Sequence, residues 1–138
     1  MSWVVDASVA LKWVIPEVLS DRAERLLGAN EDLIAPDLLP IEAANALWKK
    51  TVRREISARD AEQALALLQE SGLVLRPTGP LLAPALAIAH RLDHPVYDCV
   101  YVALARRERA RLVTSDRRLA RRIASRRLDV RVVELARV

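Results

Sequence analysis

The chain has 138 residues, 52 % of them apolar, a formal net charge of +4 and one cysteine. That length fits one domain, residues 1–138, and the aliphatic content excludes a disordered chain, because enough apolar surface is available to offset the entropy of ordering. Cys99 has no partner, which excludes an internal disulfide framework. The longest apolar run, Leu81–Ala89, contains Pro84 and falls well short of the ~20 residues of a membrane span. Met1–Asp6 has no basic segment and meets an acid at once, so it does not read as a secretory leader. The expected location is cytoplasmic.

In chain order, Trp3-Val4-Val5 reads as a short strand ending at Asp6, followed by a helix through Val9–Val14 that stops before Pro16. Ser20-Asp21 can cap a second helix to Gly28. Leu33-Ile34-Ala35 is a second strand, closed by Pro36. A long helix is expected over Pro36–Arg54, with Pro40 tolerated in its first turn. Ser57-x-x-Asp60 resembles a capping box opening a helix to Gly72. Leu73-Val74-Leu75 is a third strand. Pro80–Leu92 and Pro95–Ala110 read as helices, Leu112-Val113-Thr114 as a fourth strand, Asp116–Arg127 as a helix and Val130–Val133 as a last strand. Short apolar strands alternating with helices indicate an α/β fold with a parallel sheet covered on both faces. Ligands of such folds bind beyond the carboxyl ends of the strands.

The acids at those ends are therefore the candidates. Asp6 and Asp116 each follow a strand and precede a helix, and either one alone is explained as an N-cap. Asp98 is the only charge in an otherwise apolar helix up to Arg106. A helix apolar all round is buried, so Asp98 is expected to be a buried carboxylate that needs a cation. Glu42, Asn45 and Lys49 share one helix face, and on their own they read better as an exposed polar stripe. Carboxylates converging on one crevice cannot all ionise without a cation between them, and hard oxygen ligands in that number suit Mg²⁺ or Mn²⁺.

Taken in order, strand-Asp6-x-Ser8, Glu42-x-x-Asn45, Tyr97-Asp98 before a small-residue helix, and Leu112-Val113-Thr114-Ser115-Asp116 resemble the PIN-domain nucleases, and within them the VapC toxins. The resemblance implies a three-layer α/β/α fold with a central parallel sheet. It implies that Asp6, Glu42, Asp98 and Asp116 form an acidic pocket for Mg²⁺ or Mn²⁺, with Ser8, Asn45, Thr114 and Ser115 supporting them by hydrogen bonds. It further implies an endoribonuclease that cuts structured RNA such as transfer RNA with metal-activated water. A homodimer and an inhibitory VapB-like antitoxin belong to the same expectation.

The sequence pI is about 9.8, and the excess charge is concentrated in Arg106–Arg131, where the only acids are Glu108, Asp116 and Asp129. Such a segment reads either as a solvated face or as a grip on polyanions. Arg117, Arg118, Arg121 and Arg122 share the helix face opposite Leu119 and Ile123 and begin beside Asp116. They are expected to hold RNA phosphates. His90 and His94 have zinc-ligand spacing but no third ligand, and read as structural or exposed. Cys99, Trp13 and Trp48 read as packing residues, and Lys12 has no assigned place. A phosphate-accepting receiver domain is disfavoured, because Asp6 is followed by Ala-Ser and Lys12, Lys49 and Lys50 are the only lysines. A phosphatase using Asp-x-Asp is disfavoured by Ser8. A non-catalytic RNA- or protein-binding module on the same fold is the remaining alternative.

Overall fold

Runs of Val, Leu and Ile bounded by proline, glycine or acid form five strands in the computed structural model, which describes residues 1–138. These are β1 (Ser2–Val5), β2 (Asp32–Pro36), β3 (Val74–Arg76), β4 (Arg111–Thr114) and β5 (Val132–Glu134). They make one sheet in the order β3-β2-β1-β4-β5, and every pairing is parallel. The helices are α1 (Ala7–Leu11), α2 (Ser20–Leu27), α3 (Leu39–Val52), α4 (Ala58–Gln69), α5 (Leu82–Leu92), α6 (Val96–Glu108) and α7 (Arg117–Ser125). The result is a three-layer α/β/α fold, as the alternation of strands and helices implies. No helix is long and apolar enough to cross a membrane.

Element ends differ from the expectation for local reasons. The first helix stops at Leu11, and Lys12–Val14 form turns, because Pro16 disfavours helical backbone at Ile15. Pro36 completes β2 rather than opening α3, which begins at Leu39 with Pro40 in its first turn. Ser57 does cap α4, its hydroxyl accepting from Asp60 N at 3.0 Å. Gly72 carries the chain out of α4 with φ +83°, a conformation that glycine adopts without steric cost. The last strand is Val132–Glu134, two residues later than expected at its start.

The centre of the core is α6 against the sheet. Cys99–Ala105 are seven consecutive buried residues, and α6 packs across β1, β2 and β4 while α5 packs along it. Burial pushes the Cys99 thiol up to about 11, so it is an inert core residue. Trp13 packs against the core and donates its indole N–H to Ala23 O at 2.8 Å. Trp48 does not fit the packing expectation. It lies on the outward face of α3 and is 61 % exposed.

Leu112 is fully buried in β4, beside the central strand. Leu112→Ala leaves a cavity between the sheet and its covering helices. It is expected to lower stability by about 2–5 kcal/mol, seen as a lower urea midpoint at unchanged slope.

Candidate active site

The order β3-β2-β1-β4-β5 makes the chain run outward from β1 in both directions, so a crevice opens where β1 and β4 end side by side. Val5 is in register with Val113, which brings Asp6 and Thr114–Asp116 together at one edge. Asp6 is the N-cap of α1. Its Oδ1 accepts from Val9 N at 3.0 Å and from Ser8 Oγ at 2.6 Å, and its Oδ2 accepts from the Thr114 hydroxyl. Ser8 spends its proton on Asp6, so at the 2.7 Å contact between the two serines Ser115 is the donor. Asp116 is the N-cap of α7, with Oδ1 accepting from Arg118 N at 2.9 Å and Leu119 N at 3.1 Å. Its amide donates to Thr114 Oγ1 at 3.0 Å.

Glu42, in the first turn of α3, and Asp98, in the first turn of α6, complete the arrangement. A crevice of about 230 Å³ is lined by Asp6, Ala7, Ser8, Glu42, Asp98, Tyr101, Ser115 and Asp116. All four candidate acids are there, and no lysine or arginine is. Ser8 and Thr114 donate directly to Asp6, whereas Ser115 reaches no carboxylate and bonds only the Ser8 hydroxyl.

Three further expectations need correction. Asp98 is not buried: its side chain is 39 % exposed, because the buried stretch of α6 begins one residue later and Asp98 looks out of the helix's open end into the crevice. Asn45 supports no carboxylate. It is exposed one turn along α3 and lines, with Glu42, Lys49 and Lys12, an adjoining groove of about 690 Å³. Lys12 is there tied to Glu17 at 2.9 Å. Arg117, Arg118 and Arg121 are exposed as expected, but Arg122 turns inward. Its guanidinium donates to Asp93 O and, at 3.1 Å, to His94 Nδ1.

Two residues at the site escaped the sequence reading. Tyr101 is buried and donates its hydroxyl to Glu42 Oε1 at 2.6 Å. His94, read as structural or exposed, is buried and places Nε2 2.7 Å from Asp98 Oδ2 and 3.9 Å from Asp116 Oδ2. Asp98 and Tyr101 are spaced i, i+3 and share a face of α6, whereas His94 lies in the loop before the N-cap Pro95, so helical spacing signals Tyr101 but not His94.

Burial raises the Asp6 carboxyl above the usual range, against the hydrogen bonds of Ser8, Thr114 and Val9, and the Asp98 charge adds to the rise. Burial also raises Glu42, opposed by Tyr101 and reinforced by Asp98 and Asp6. Burial and the Glu42 charge together keep the Tyr101 phenol protonated. The donor set fits a divalent cation. Glu42 Oε2, Asp98 Oδ1 and Asp116 Oδ2 accept no hydrogen bond, the oxygens are hard ligands, and no side-chain cation lines the crevice to compensate them.

A carboxyl raised by folding binds its proton more tightly in the native state than in the unfolded one. Its stabilising contribution is therefore full below the unfolded value and is lost as pH rises through the folded one. Glu42→Gln removes this loss while keeping an oxygen for Tyr101. In metal-free protein it is expected to raise the calorimetric melting temperature at pH 7, with the gain vanishing near about pH 4, where the unfolded glutamate protonates.

The fold and the site define an α/β/α domain with a carboxylate crevice at the switch point of a parallel sheet. Residues 3–124 match the PIN domain, and the chain belongs to the PIN-domain family and to its VapC group. Ribonuclease VapC3 of Pyrobaculum aerophilum is 37 % identical over 122 residues, spanning 87 % of this chain and 93 % of that protein. PAE2754 of the same organism shares the fold with a TM-score of 0.74 at 23 % identity, over 99 % of this chain and 90 % of that one. A toxin–antitoxin complex from Klebsiella pneumoniae shares it with a TM-score of 0.68 at 14 % identity, over 98 % of both chains.

Proposed function

We propose that residues 1–138 form one nuclease domain, a Mg²⁺- or Mn²⁺-dependent endoribonuclease that acts in the cytoplasm as the toxin of a toxin–antitoxin pair. The observation that carries this reading is the crevice lined by four carboxylates and no side-chain cation. Asp6, Glu42, Asp98 and Asp116 would hold the metal. Bound there, a divalent cation supplies a more acidic water and charge neutralisation at a phosphodiester. The protein's own part is positioning. Asp6 is fixed by Ser8, Thr114 and Val9, and Glu42 by Tyr101. Neither strand-end acid can swing away without giving up its helix cap.

RNA as the substrate is supported by the relative named a ribonuclease and by the exposed arginines of α7, which starts at the crevice. The antitoxin is supported by the fold neighbour solved as a toxin–antitoxin complex. Exposed Ile41 and Tyr97 on the groove beside the crevice, with Trp48 and Val52 further along α3, suit protein partners. We assign such contacts to the antitoxin and to a second copy of the chain.

RNA digestion with and without Mn²⁺ tests the reading. The wild type is expected to cut only with metal, and Asp98→Asn to lose more than about 100-fold in rate, the upper end of what loss of an outer-sphere partner alone costs. Metal-independent binding without cutting would favour the non-catalytic module. A second measurement addresses the arginines. Replacing Arg117, Arg118 and Arg121 with Ala is expected to weaken RNA binding and to flatten its log–log salt slope by roughly 2–3, about 0.7–0.9 for each phosphate no longer neutralised. An unchanged slope would remove the arginines from the interface.

A further inference from the structure

His94 is held on every side. Its amide donates to Ala89 O at 3.2 Å, its side chain is 4 % exposed, and its ring is gripped at both nitrogens. Arg122 Nη1 lies 3.1 Å from Nδ1 and also binds Asp93 O, the carbonyl just before the histidine. A guanidinium can only donate. Nδ1 is therefore the acceptor, and the ring proton sits on Nε2, 2.7 Å from Asp98 Oδ2.

This assignment decides between two roles. Nε2 of His94, Asp98 and Asp116 are near enough to one another to hold a metal ion together, so His94 invites assignment as a ligand. A ligating nitrogen must present a bare lone pair, and Arg122 has put the proton there instead. We infer that Arg122 and His94 are positioning residues: α7 fixes the histidine's tautomer, and the histidine's N–H takes up Asp98 Oδ2 so that Oδ1 is left for a cation in the crevice. Outer partners of this kind orient a ligand and set the metal affinity of its site. The same N–H stands between Asp98 and Asp116, 3.9 Å from Asp116 Oδ2. Arg122 thereby leaves the phosphate-gripping face and joins the acidic site.

The inference rests on the metal reading above and is tested on the full chain without RNA, by Mn²⁺ titration calorimetry and electron spin-echo spectroscopy. His94→Leu and Arg122→Leu are each expected to weaken Mn²⁺ binding about 10–100-fold, the range for loss of an outer-sphere partner, whereas His94→Gln, which keeps a donor at similar reach, should stay within about 3-fold of wild type. The wild-type Mn²⁺ signal should show no coupling to a directly bound imidazole nitrogen. Arg122 is only partly buried, unlike His94, so Arg122→Leu carries the test if His94→Leu does not fold. Wild-type affinity in both leucine variants, equal losses in His94→Gln and His94→Leu, or an imidazole coupling would each overturn the inference while leaving the metal site standing. Absence of Mn²⁺ binding by the wild type would overturn the metal reading itself and this inference with it.

Discussion

The Thr114 hydroxyl is the contact on which the site turns. It donates to Asp6 Oδ2 and accepts from the Asp116 amide, so one buried side chain ties the residue after β1 to the residue opening α7. This is possible because β1 and β4 are parallel neighbours with Val5 opposite Val113. A one-residue slip would turn Thr114 to the other face of the sheet. The packing of the apolar strands thus sets the spacing of the acids, and stability and site geometry share one cause.

That geometry is under tension. Four carboxylates in one crevice repel, and burial already works against charge on Asp6 and Glu42. Hydrogen bonds to carboxylates are stronger than those between neutral groups, and here they come from Ser8, Thr114, Tyr101 and the first turns of α1 and α7. They fix the acids without neutralising them. A site built this way holds its acids in place for the cation proposed above.

The fold was legible because strands and helices alternate with clear punctuation, and the errors are confined to element ends, at Pro16 and Pro36 where proline changes the end and at the start of β5. Asp6 and Asp116 were visible as acids directly after strands. Asp98 was noticed for its apolar neighbours, yet it is half-exposed, since a residue in a helix's first turn can leave the core that the next seven residues occupy. Glu42 stood out only through Glu42-x-x-Asn45, and Asn45 itself faces a different groove. Tyr101 looked like core and is core; its one polar atom meets a residue 59 positions away on another helix. No periodicity encodes such a pairing between α3 and α6. Arg122 shares its helical repeat with three solvated arginines, and only the tertiary approach of the His94 loop distinguishes it.

The cap and the site were competing accounts of Asp6 and Asp116, and the structure shows them to be parts of one arrangement. In Asp116, Oδ1 takes two amides of α7 while Oδ2 remains free on the crevice side. In Asp6 both oxygens are engaged, Oδ1 by α1 and Ser8 and Oδ2 by β4. A helix N-terminus favours negative charge, so capping lowers the cost of holding these carboxylates ionised beside Asp98 and Glu42. Each acid is thereby a fixed part of the backbone's hydrogen bonding, and rotating it away from its neighbours would unsatisfy a helix end. The chain relieves the repulsion by no such motion, so the two changes that remove it are protonation of the raised carboxyls and a cation of the kind proposed above.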